Sequence, residues 1–289
     1  MKEFNLPHFF IITPLYCEDL AIEEILNKSN IPLSSLKQEK GGLNLSNVSI
    51  EEGLKLNYLL KIPVRILLTL DEFKAKDFPR LYEKLTKIKW NDFLHDHEMP
   101  KLHFSSEKSL LFDSRKVEKV LFDAIEFNYK KNPPKQLGES KVGKEIFIRI
   151  HENKVKVSID TTGDPLYHRE ENFSPKRVKG SIRENLAYVM IFAAMKYLEK
   201  NKNTVINPMM GSGTILKEAF LYNSLLTKRS FSFEDFTFVQ KKKIKKPSLP
   251  KEENCFSHFI GFDIDDYALQ MSKDNFQNSE ECSEKICLS

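Results

Sequence analysis

Residues 204–219, TVINPMMGSGTILKEA, decide how the second half of the chain folds. The stretch begins with an apolar, β-branched run, breaks at Asn207-Pro208 and passes Gly211 and Gly213 before good helix formers follow. This order predicts a strand, a tight loop and a helix. Glycines in such a loop let a ligand approach the backbone, and free N–H groups at the helix start favour a carboxylate or another anion. The stretch therefore predicts a ligand site.

Two phosphate-binding patterns do not fit this loop. A Walker loop requires GxxxxGK[ST], but no Lys follows Gly213, and a dinucleotide fingerprint requires a third glycine where Leu216 stands. A ligand with an adenosine body and a zwitterionic amino-acid tail fits better, and S-adenosylmethionine has this chemistry. The alternative is an ordinary glycine turn in an unrelated α/β protein.

A second predicted strand ends in acidic residues. Residues 258–265, HFIGFDID, predict a strand, and residues 267–276 predict a helix. An acidic side chain at the end of a strand beside a glycine loop can accept hydrogen bonds from both ribose hydroxyls. Asp263 is the predicted ribose ligand and Asp265 the second candidate. The alternative is a carboxylate that only caps the following helix.

The composition is typical of a globular protein. The 289 residues are 40% hydrophobic and 30% charged, with a formal net charge of +4, which permits a nucleic-acid partner without requiring one. The first residues lack a signal-peptide pattern and Pro14 ends the apolar run at 9–12, so we expect a cytoplasmic protein. The cysteines form no CxxC pair, so we expect reduced thiols and no metal.

The first 160 residues mix predicted helices and strands, which indicates an α+β arrangement. Residues 145–151 and 154–160 alternate apolar and polar side chains around Glu152-Asn153, which predicts a hairpin. Further strands are predicted at 9–12, 43–45, 63–70 and 101–104, and helices at 18–26, 50–60, 78–90 and 114–129.

Cations concentrate in two places. One is a lysine cluster that can neutralise phosphates or simply form a solvated face: Lys116, Lys119, Lys130, Lys131, Lys135, Lys141 and Lys144. The other is a linker, which we predict to contact phosphates: Arg169, Lys176, Arg177, Lys179 and Arg183. Ser181 to Glu184 has the capping-box pattern and predicts the start of a helix. The aromatic residues 231–238 and the lysine run 241–246 predict an exposed insertion, either solvated or in contact with RNA.

The string NPMMGSGT at 207–214 resembles the DPMCGSGT motif of THUMP-domain S-adenosylmethionine-dependent RNA methyltransferases (UPF0020 type), which modify guanine in ribosomal or transfer RNA. Asn207 stands where that group usually has Asp. GFDID at 261–265, followed by ALQMSKDN, resembles the family's second cofactor motif. Residues 61–169, with IKWNDFL and SIDTTGDPLYHR, resemble a THUMP domain, an RNA-binding module.

The resemblance implies an α/β class combined with α+β, in three parts. Residues 1–60 would form a ferredoxin-like segment, 61–168 the THUMP domain and 169–289 a partial Rossmann-like methyltransferase domain. S-adenosylmethionine would be bound by Asn207, Pro208, Gly211, Gly213, Thr214, Asp263 and Asp265. Structured RNA, ribosomal rather than transfer RNA, would be bound by Lys116, Lys119 and the linker cations.

The family's catalytic motif, Asn or Asp followed by Pro-Pro-aromatic, has no counterpart after the glycine loop. Asn132-Pro133-Pro134 precedes that loop and is followed by Lys135, so it predicts a turn, and no catalytic residue is assigned. The expected function is a truncated or split RNA methyltransferase acting on the N2 atom of guanine. A second chain could pair with the sheet edge expected to be open after Asp265. The alternative is a non-catalytic THUMP RNA-binding protein.

Overall fold

Two β-sheets organise the part of the chain that the computed structural model describes, namely residues 7–95, 98–131, 143–169, 178–198, 203–242, 244–247, 256–277 and 286–289. One sheet has seven strands from the first 160 residues, and the other has three strands from the remainder. The coarse prediction of a mixed α/β protein is confirmed.

The seven-stranded sheet is built from β1 (His8–Ile12), β2 (Leu36–Glu39), β3 (Gly42–Leu45), β4 (Arg65–Lys74), β5 (Lys101–Glu107), β6 (Glu145–His151) and β7 (Lys154–Asp160). Its helices are α1 (Glu18–Lys28), α2 (Ile50–Leu59), α3 (Phe78–Leu85) and α4 (Ser114–Lys131). The strand order is β2-β3-β1-β4-β7-β6-β5, antiparallel except for the parallel pair β5–β6. Because β1 pairs with β4, one sheet continues across the predicted boundary at residues 60 and 61.

The hairpin of β6 and β7 has the predicted bounds. Its turn residues Glu152 and Asn153 have φ values of 50° and 61°, as the two-residue turns that suit the right-handed strand twist require. Alternation along these strands directs Ile148 and Val157, both fully buried, toward the helix-covered face. Arg149 and Lys156 consequently belong to the opposite face of the sheet.

The second sheet contains β8 (Asn203–Asn207), β9 (Phe256–Gly261) and β10 (Ile286–Leu288), all parallel and in the order β10-β9-β8. Its helices are α5 (Glu184–Ala194), α6 (Thr214–Phe220) and α8 (Asp266–Gln277). Leu216 and Phe259 belong to the small core beneath this sheet. The expected open edge at β9 is wrong, because β10 pairs there, with Ile286 opposite Phe259. Three residues give too short an apolar pattern to predict that strand.

Residues 226–239, here called the strap, leave the second sheet after α6 and pack on the first sheet unit. The strap includes the start of α7 (Thr237–Lys242). Phe231, Phe233 and Phe236 are at most 1% exposed and join the core that the seven-stranded sheet forms. The prediction of an exposed insertion is therefore wrong for these aromatic residues, although Lys241 and Lys242 are exposed as expected.

Backbone hydrogen bonds fix the strap in place. The N–H of Leu226 donates to the carbonyl of Tyr58 at 2.9 Å, and the N–H of Phe233 donates to that of Thr161 at 3.0 Å. Lys144, counted above as a surface cation, is buried and donates to the carbonyl of Ser232 at 3.1 Å. The strap thus connects the two sheet units through polar and apolar contacts together.

The helix predicted from the capping box begins later than expected. Ser181 donates its hydroxyl to the carbonyl of Val178, and α5 starts at Glu184 with Arg183 as an N-cap that makes no side-chain hydrogen bond. The capping-box prediction is therefore wrong. Within the described residues, no helix has the combined length and apolarity needed to cross a lipid bilayer.

Candidate cofactor site

The glycine loop joins the carboxyl end of β8 to the start of α6, as the sequence predicts. Gly211 and Gly213 have φ values of 55° and 83°, a region that side-chain-bearing residues rarely adopt. A Cβ atom on Gly213 would lie 2.6 Å from Ser272 Oγ and 2.7 Å from the Phe276 ring, both on α8. Glycine at this position therefore allows the loop to turn and α8 to pack against it.

Backbone bonds connect the ends of β8 and β9 around this loop. The N–H of Phe262 donates to the carbonyl of Asn207, and the N–H of Met210 donates to the carbonyl of Phe262, both at 2.9 Å. Asp263 adds a side-chain link, because its Oδ2 accepts the Gly211 N–H at 2.7 Å. The Asp263 carboxylate therefore lies directly against the glycine loop.

Asp263 is kept ionised by backbone donors. Its Oδ1 accepts the N–H of Asp265 at 3.0 Å, and the N–H groups of Asp265 and Gly211 lower the pKa of the Asp263 carboxyl below its usual value. Two carboxylate oxygens together offer about four acceptor positions, so acceptor capacity remains for a ligand. The predicted ribose contact therefore remains a prediction that the geometry permits.

Asp265 has a different position. Its Oδ1 accepts the N–H of Tyr267 at 2.9 Å, so its side chain caps the start of α8. The helix-capping alternative thus describes the local role of Asp265, whereas Asp263 contacts the loop.

Asn207 lies at the end of β8 and is 9% exposed. Its Oδ1 accepts the Met209 N–H at 3.3 Å, while Nδ2 has no hydrogen-bond partner among the described residues. Pro208 is exposed, and Thr214 is the half-buried first residue of α6. The predicted loop residues are therefore contiguous in space with Asp263.

A small cavity of about 20 Å³ borders the loop at Ser212 and Thr214. Its lining includes His168, Arg169, Ser212 and Phe276, but neither Asn207 nor Asp263. A volume of this size can hold about one water molecule and not a nucleoside. The loop cluster at Asn207, Gly211 and Asp263 is therefore the candidate cofactor site, rather than this cavity.

Arg169 corrects the prediction of a phosphate contact. It is 8% exposed, and its Nε and Nη2 donate to the two carboxylate oxygens of Glu218, at 3.0 and 2.9 Å. Its Nη1 donates to the carbonyls of Lys61 and Leu166. This guanidinium is therefore bound within the protein, where it attaches the linker to α6.

A buried lysine beside this ion pair was not predicted. Lys61 is 1% exposed, its ammonium group donates to Ser224 Oγ at 3.1 Å, and burial lowers the pKa of Lys61 well below its usual range. Lysine is rarely buried, and its acceptors come from a segment far along the sequence, so no local pattern could have indicated it. Lys61 and Arg169 together tie the first sheet unit to the segment around α6.

The remaining predicted cations differ in accessibility. Lys116, Lys119, Lys179 and Arg183 are exposed. The Arg183 guanidinium lies 5.7 Å from the centre of the Tyr167 ring, which suits a cation–π contact. Lys176 and Arg177 lie outside the described residues. Among the residues that are described, no group of three or more His, Cys, Asp or Glu side chains could hold a metal ion.

Comparison with known proteins shows what the segment that carries this loop is similar to. Residues 172–286 match the family model described as UPF0020, RMKL-like, methyltransferase domain. The candidate cofactor site lies within this match, which covers both the glycine loop and Asp263. The second sheet and its helices are therefore similar to a methyltransferase domain.

Particular relatives extend the similarity to most of the chain. A ribosomal RNA large subunit methyltransferase K/L from Buchnera aphidicola subsp. Acyrthosiphon pisum (strain APS) is 26% identical over 280 residues, which is 89% of this chain. The alignment covers 38% of that relative, so this chain spans about two fifths of its length. A crystal structure described as a possible methylase from Clostridium difficile 630 is 27% identical, with a TM-score of 0.72 over 98% of this chain and 74% of its own.

A further solved structure carries a bound ligand. It was crystallised in complex with SAH and has a TM-score of 0.73 at 21% identity, covering 100% of this chain and 76% of its own. At that identity the likeness shows a shared fold. Taken with the family match, these relatives support S-adenosylmethionine as the cofactor of this chain.

Proposed function

We propose that this chain carries the cofactor-binding part of an S-adenosylmethionine-dependent RNA methyltransferase. The observation that carries the proposal is the contact between Asp263 and Gly211 N in a loop with two positive-φ glycines, inside the segment that matches a methyltransferase family. This arrangement provides a carboxylate acceptor next to a backbone that a ligand can approach closely.

The side chains around the loop suit an adenosine-containing ligand. Asp263 would accept the ribose hydroxyls, while the glycine loop would face the amino-acid tail. Met209 and Ile264 are 83% and 102% exposed beside these polar groups, and apolar side chains of this kind can pack against a purine ring. The cofactor would supply an activated methyl group, and these residues would bind and orient it.

Ribosomal RNA is the proposed substrate class, with guanine N2 as the acceptor atom. The names of the K/L relatives and the exposed cations Lys116, Lys119, Lys179 and Arg183 support ribosomal RNA as the substrate. Guanine as the acceptor is implied only by the resemblance of residues 207–214 to the motif of guanine-modifying RNA methyltransferases. Cations on the surface contribute to RNA affinity by releasing counterions from phosphates. We further propose residues 61–168 as a THUMP domain, residues 1–60 as the ferredoxin-like segment before it and residues 169–289 as the partial methyltransferase domain.

Methyl transfer also requires a group that aligns the acceptor amine, and none is assigned among these 289 residues. Transfer from a sulfonium depends chiefly on this alignment, and a displacement of about 1 Å can cost roughly a hundredfold in rate. We expect a polypeptide of this sequence to bind the cofactor and RNA but to transfer methyl groups only when a segment with the aligning motif is supplied.

A calorimetric titration with S-adenosylmethionine and SAH tests the cofactor assignment. Asp263→Ala should weaken binding by about tenfold or more, because charge-assisted hydrogen bonds to ribose would be lost. Asp266→Ala, three residues further along at an exposed position, is the control and should retain affinity. Unchanged affinity in Asp263→Ala would exclude the proposed site.

Tritium transfer from labelled S-adenosylmethionine to ribosomal RNA tests the reaction. The assay compares the chain alone with the chain plus the segment that follows the matched region in a K/L relative. We expect transfer in the second case. Robust turnover by the chain alone would show that a residue within 1–289 aligns the amine, and its absence in both cases would favour a non-catalytic RNA-binding protein.

A further inference from the structure

A wide groove lies on the helix-free face of the seven-stranded sheet. Its volume is about 970 Å³, and its floor and walls include Asn44, Thr69, Ser105, Arg149 and Lys156. Since Arg149 and Lys156 point away from the helix-covered face, the groove lies on the side of the sheet opposite α4. The charge pattern in the sequence predicted an RNA contact at the lysines of α4 and did not indicate this surface.

Arg149 is the unusual residue of this groove. Its guanidinium lies 4.9 Å from the centre of the Phe10 ring. The Lys156 ammonium lies 5.5 Å from the centre of the same ring. The Arg149 side chain is half-buried and makes no hydrogen bond or ion pair with any residue that the structure describes. Burial lowers the pKa of its guanidinium, and the charge of the Glu39 carboxylate opposes this shift. Because a guanidinium carries five N–H donors, a half-buried one without a hydrogen-bond acceptor among the described residues can bind a partner from outside the fold.

A second stacked pair of side chains lies near the first. The His103 ring stacks on the Phe147 ring with centroids 4.5 Å apart and planes 11° apart, and His103 Nε2 lies 2.9 Å from Glu145. Phe147 and Arg149 are two residues apart on β6, a rise of roughly 7 Å. The open sheet face thus offers two flat, supported side chains close to each other.

The charges of the groove argue against simple phosphate attraction. Four cations (Lys37, Arg149, Lys154 and Lys156) face four acids (Glu39, Asp71, Glu72 and Glu107) across its lining. Glu72 lies 3.3 Å from both Lys154 and Lys156, and Glu107 lies 3.5 Å from His151. A charge-balanced groove that contains the Arg149 guanidinium plane and lies beside the His103 ring suits a ligand that stacks, as unpaired bases do on aromatic and arginine planes.

We infer that this groove binds a single-stranded stretch of RNA, with one base stacked on Arg149 in the groove and a neighbouring base on His103, which lies beside the groove on the same face of the sheet. The inference rests on the proposed RNA substrate and adds the form of RNA that the first sheet unit holds. Stacking requires bases released from a duplex, so double-helical RNA does not satisfy the groove. The exposed lysines of α4 lie on the other face and contribute, at most, a separate salt-dependent contact.

Fluorescence anisotropy with a labelled single-stranded RNA of about ten nucleotides tests the inference. Arg149→Gln should weaken binding about tenfold, in line with the loss of one stacked base, at both low and high salt. Arg149→Lys should be equally weak, because lysine keeps the charge but not the flat plane. Arg80→Gln, the same change on the exposed surface of α3, is the matched control and should bind like the wild type.

His103 provides an independent variant. His103→Ala should weaken binding, and His103→Phe should retain it, since a phenyl ring keeps a flat stacking surface. Circular dichroism melting of each variant verifies folding. A duplex of the same sequence should bind more weakly than the single strand and should be insensitive to Arg149→Gln.

The outcomes separate this inference from the proposed function. Wild-type affinity in Arg149→Gln, or full affinity in Arg149→Lys, overturns stacking in the groove while leaving RNA binding and methyl transfer in place. Equal sensitivity of duplex and single strand to Arg149→Gln also overturns it. If the wild-type chain binds no RNA at any salt concentration, the proposed RNA substrate fails and this inference fails with it, whereas cofactor binding is measured separately.

Discussion

The two sheets differ in how their strands are connected and covered. In the seven-stranded sheet, neighbouring strands are mostly antiparallel, and one face packs on the helices over a large core. The three-stranded sheet is parallel, has a small core and leaves Ile206 of β8 60% exposed. Parallel sheets are normally covered on both faces. The first unit therefore supplies most of the packing, and the second presents the glycine loop at the ends of its strands.

The largest expected effect concerns the linker between these units. Arg169→Ala should lower the free energy of unfolding by about 4 kcal/mol, because it leaves the buried Glu218 carboxylate unpaired. Chemical denaturation measures the change, and Arg183→Ala, an exposed arginine 14 positions later (183 − 169), is the control, with an expected change within about 0.5 kcal/mol. Similar stability of the two variants would mean that the linker is not a structural joint.

A second change affects the loop rather than the joint. Gly213→Ala should cost about 2 kcal/mol and weaken cofactor binding, because the positive φ is strained for alanine and the new Cβ would clash with Ser272 and Phe276. Thermal unfolding and calorimetry measure the two effects. Gly143→Ala has open space around its Cβ and serves as the control. Unaltered cofactor affinity in Gly213→Ala would show that the loop shape is not required.

A third change tests the strap. Phe236→Leu should destabilise the chain by about 1–2 kcal/mol, because it removes aromatic contacts with Phe93 and Phe238 while retaining an apolar side chain. Phe112→Leu, at a side chain that is 76% exposed, should be nearly neutral. Equal denaturation midpoints would show that the strap adds little to the attachment of the second unit.

The smallest expected effect is a pH dependence at Asp263. Since its pKa is lowered in the folded protein, the bond from Gly211 N–H should persist above the ordinary aspartate value of about 3.9 and disappear only as pH falls through the lowered pKa. An NMR titration of the Gly211 amide should therefore show its midpoint below that value. In Asp263→Asn the same amide should not titrate over this range, and a midpoint above 4 in the wild type would contradict the assignment.

Local patterns predicted the local structure well. The alternation around Glu152-Asn153 gave the hairpin bounds correctly, and the glycine spacing gave the strand–loop–helix order of residues 204–219. These features depend on neighbours in sequence, so the residues themselves contain the information. The position of Asp263 against the loop was also predicted, although its contact with Gly211 could not be.

Local sequence patterns could not predict the contacts between distant segments. The aromatic residues of the strap were predicted to be exposed because their partners Tyr58 and Phe93 lie more than a hundred residues earlier in the sequence. Arg169 looked like a surface cation because nothing near it in sequence identifies Glu218 as its partner. In both cases contacts between distant segments bury the side chain. Composition and hydrophobic periodicity contain no information about such contacts.

The strap has a consequence for how the chain unfolds. It belongs to the connection between β8 and β9, so the segment that brings these parallel strands together is itself anchored in the other unit. Detaching the strap releases the connection that contains the glycine loop, and loss of the first core removes the surface against which the strap packs. Calorimetry should accordingly record a single cooperative transition for both sheets rather than two independent ones, with the glycine loop melting at the same temperature as the core around Tyr58.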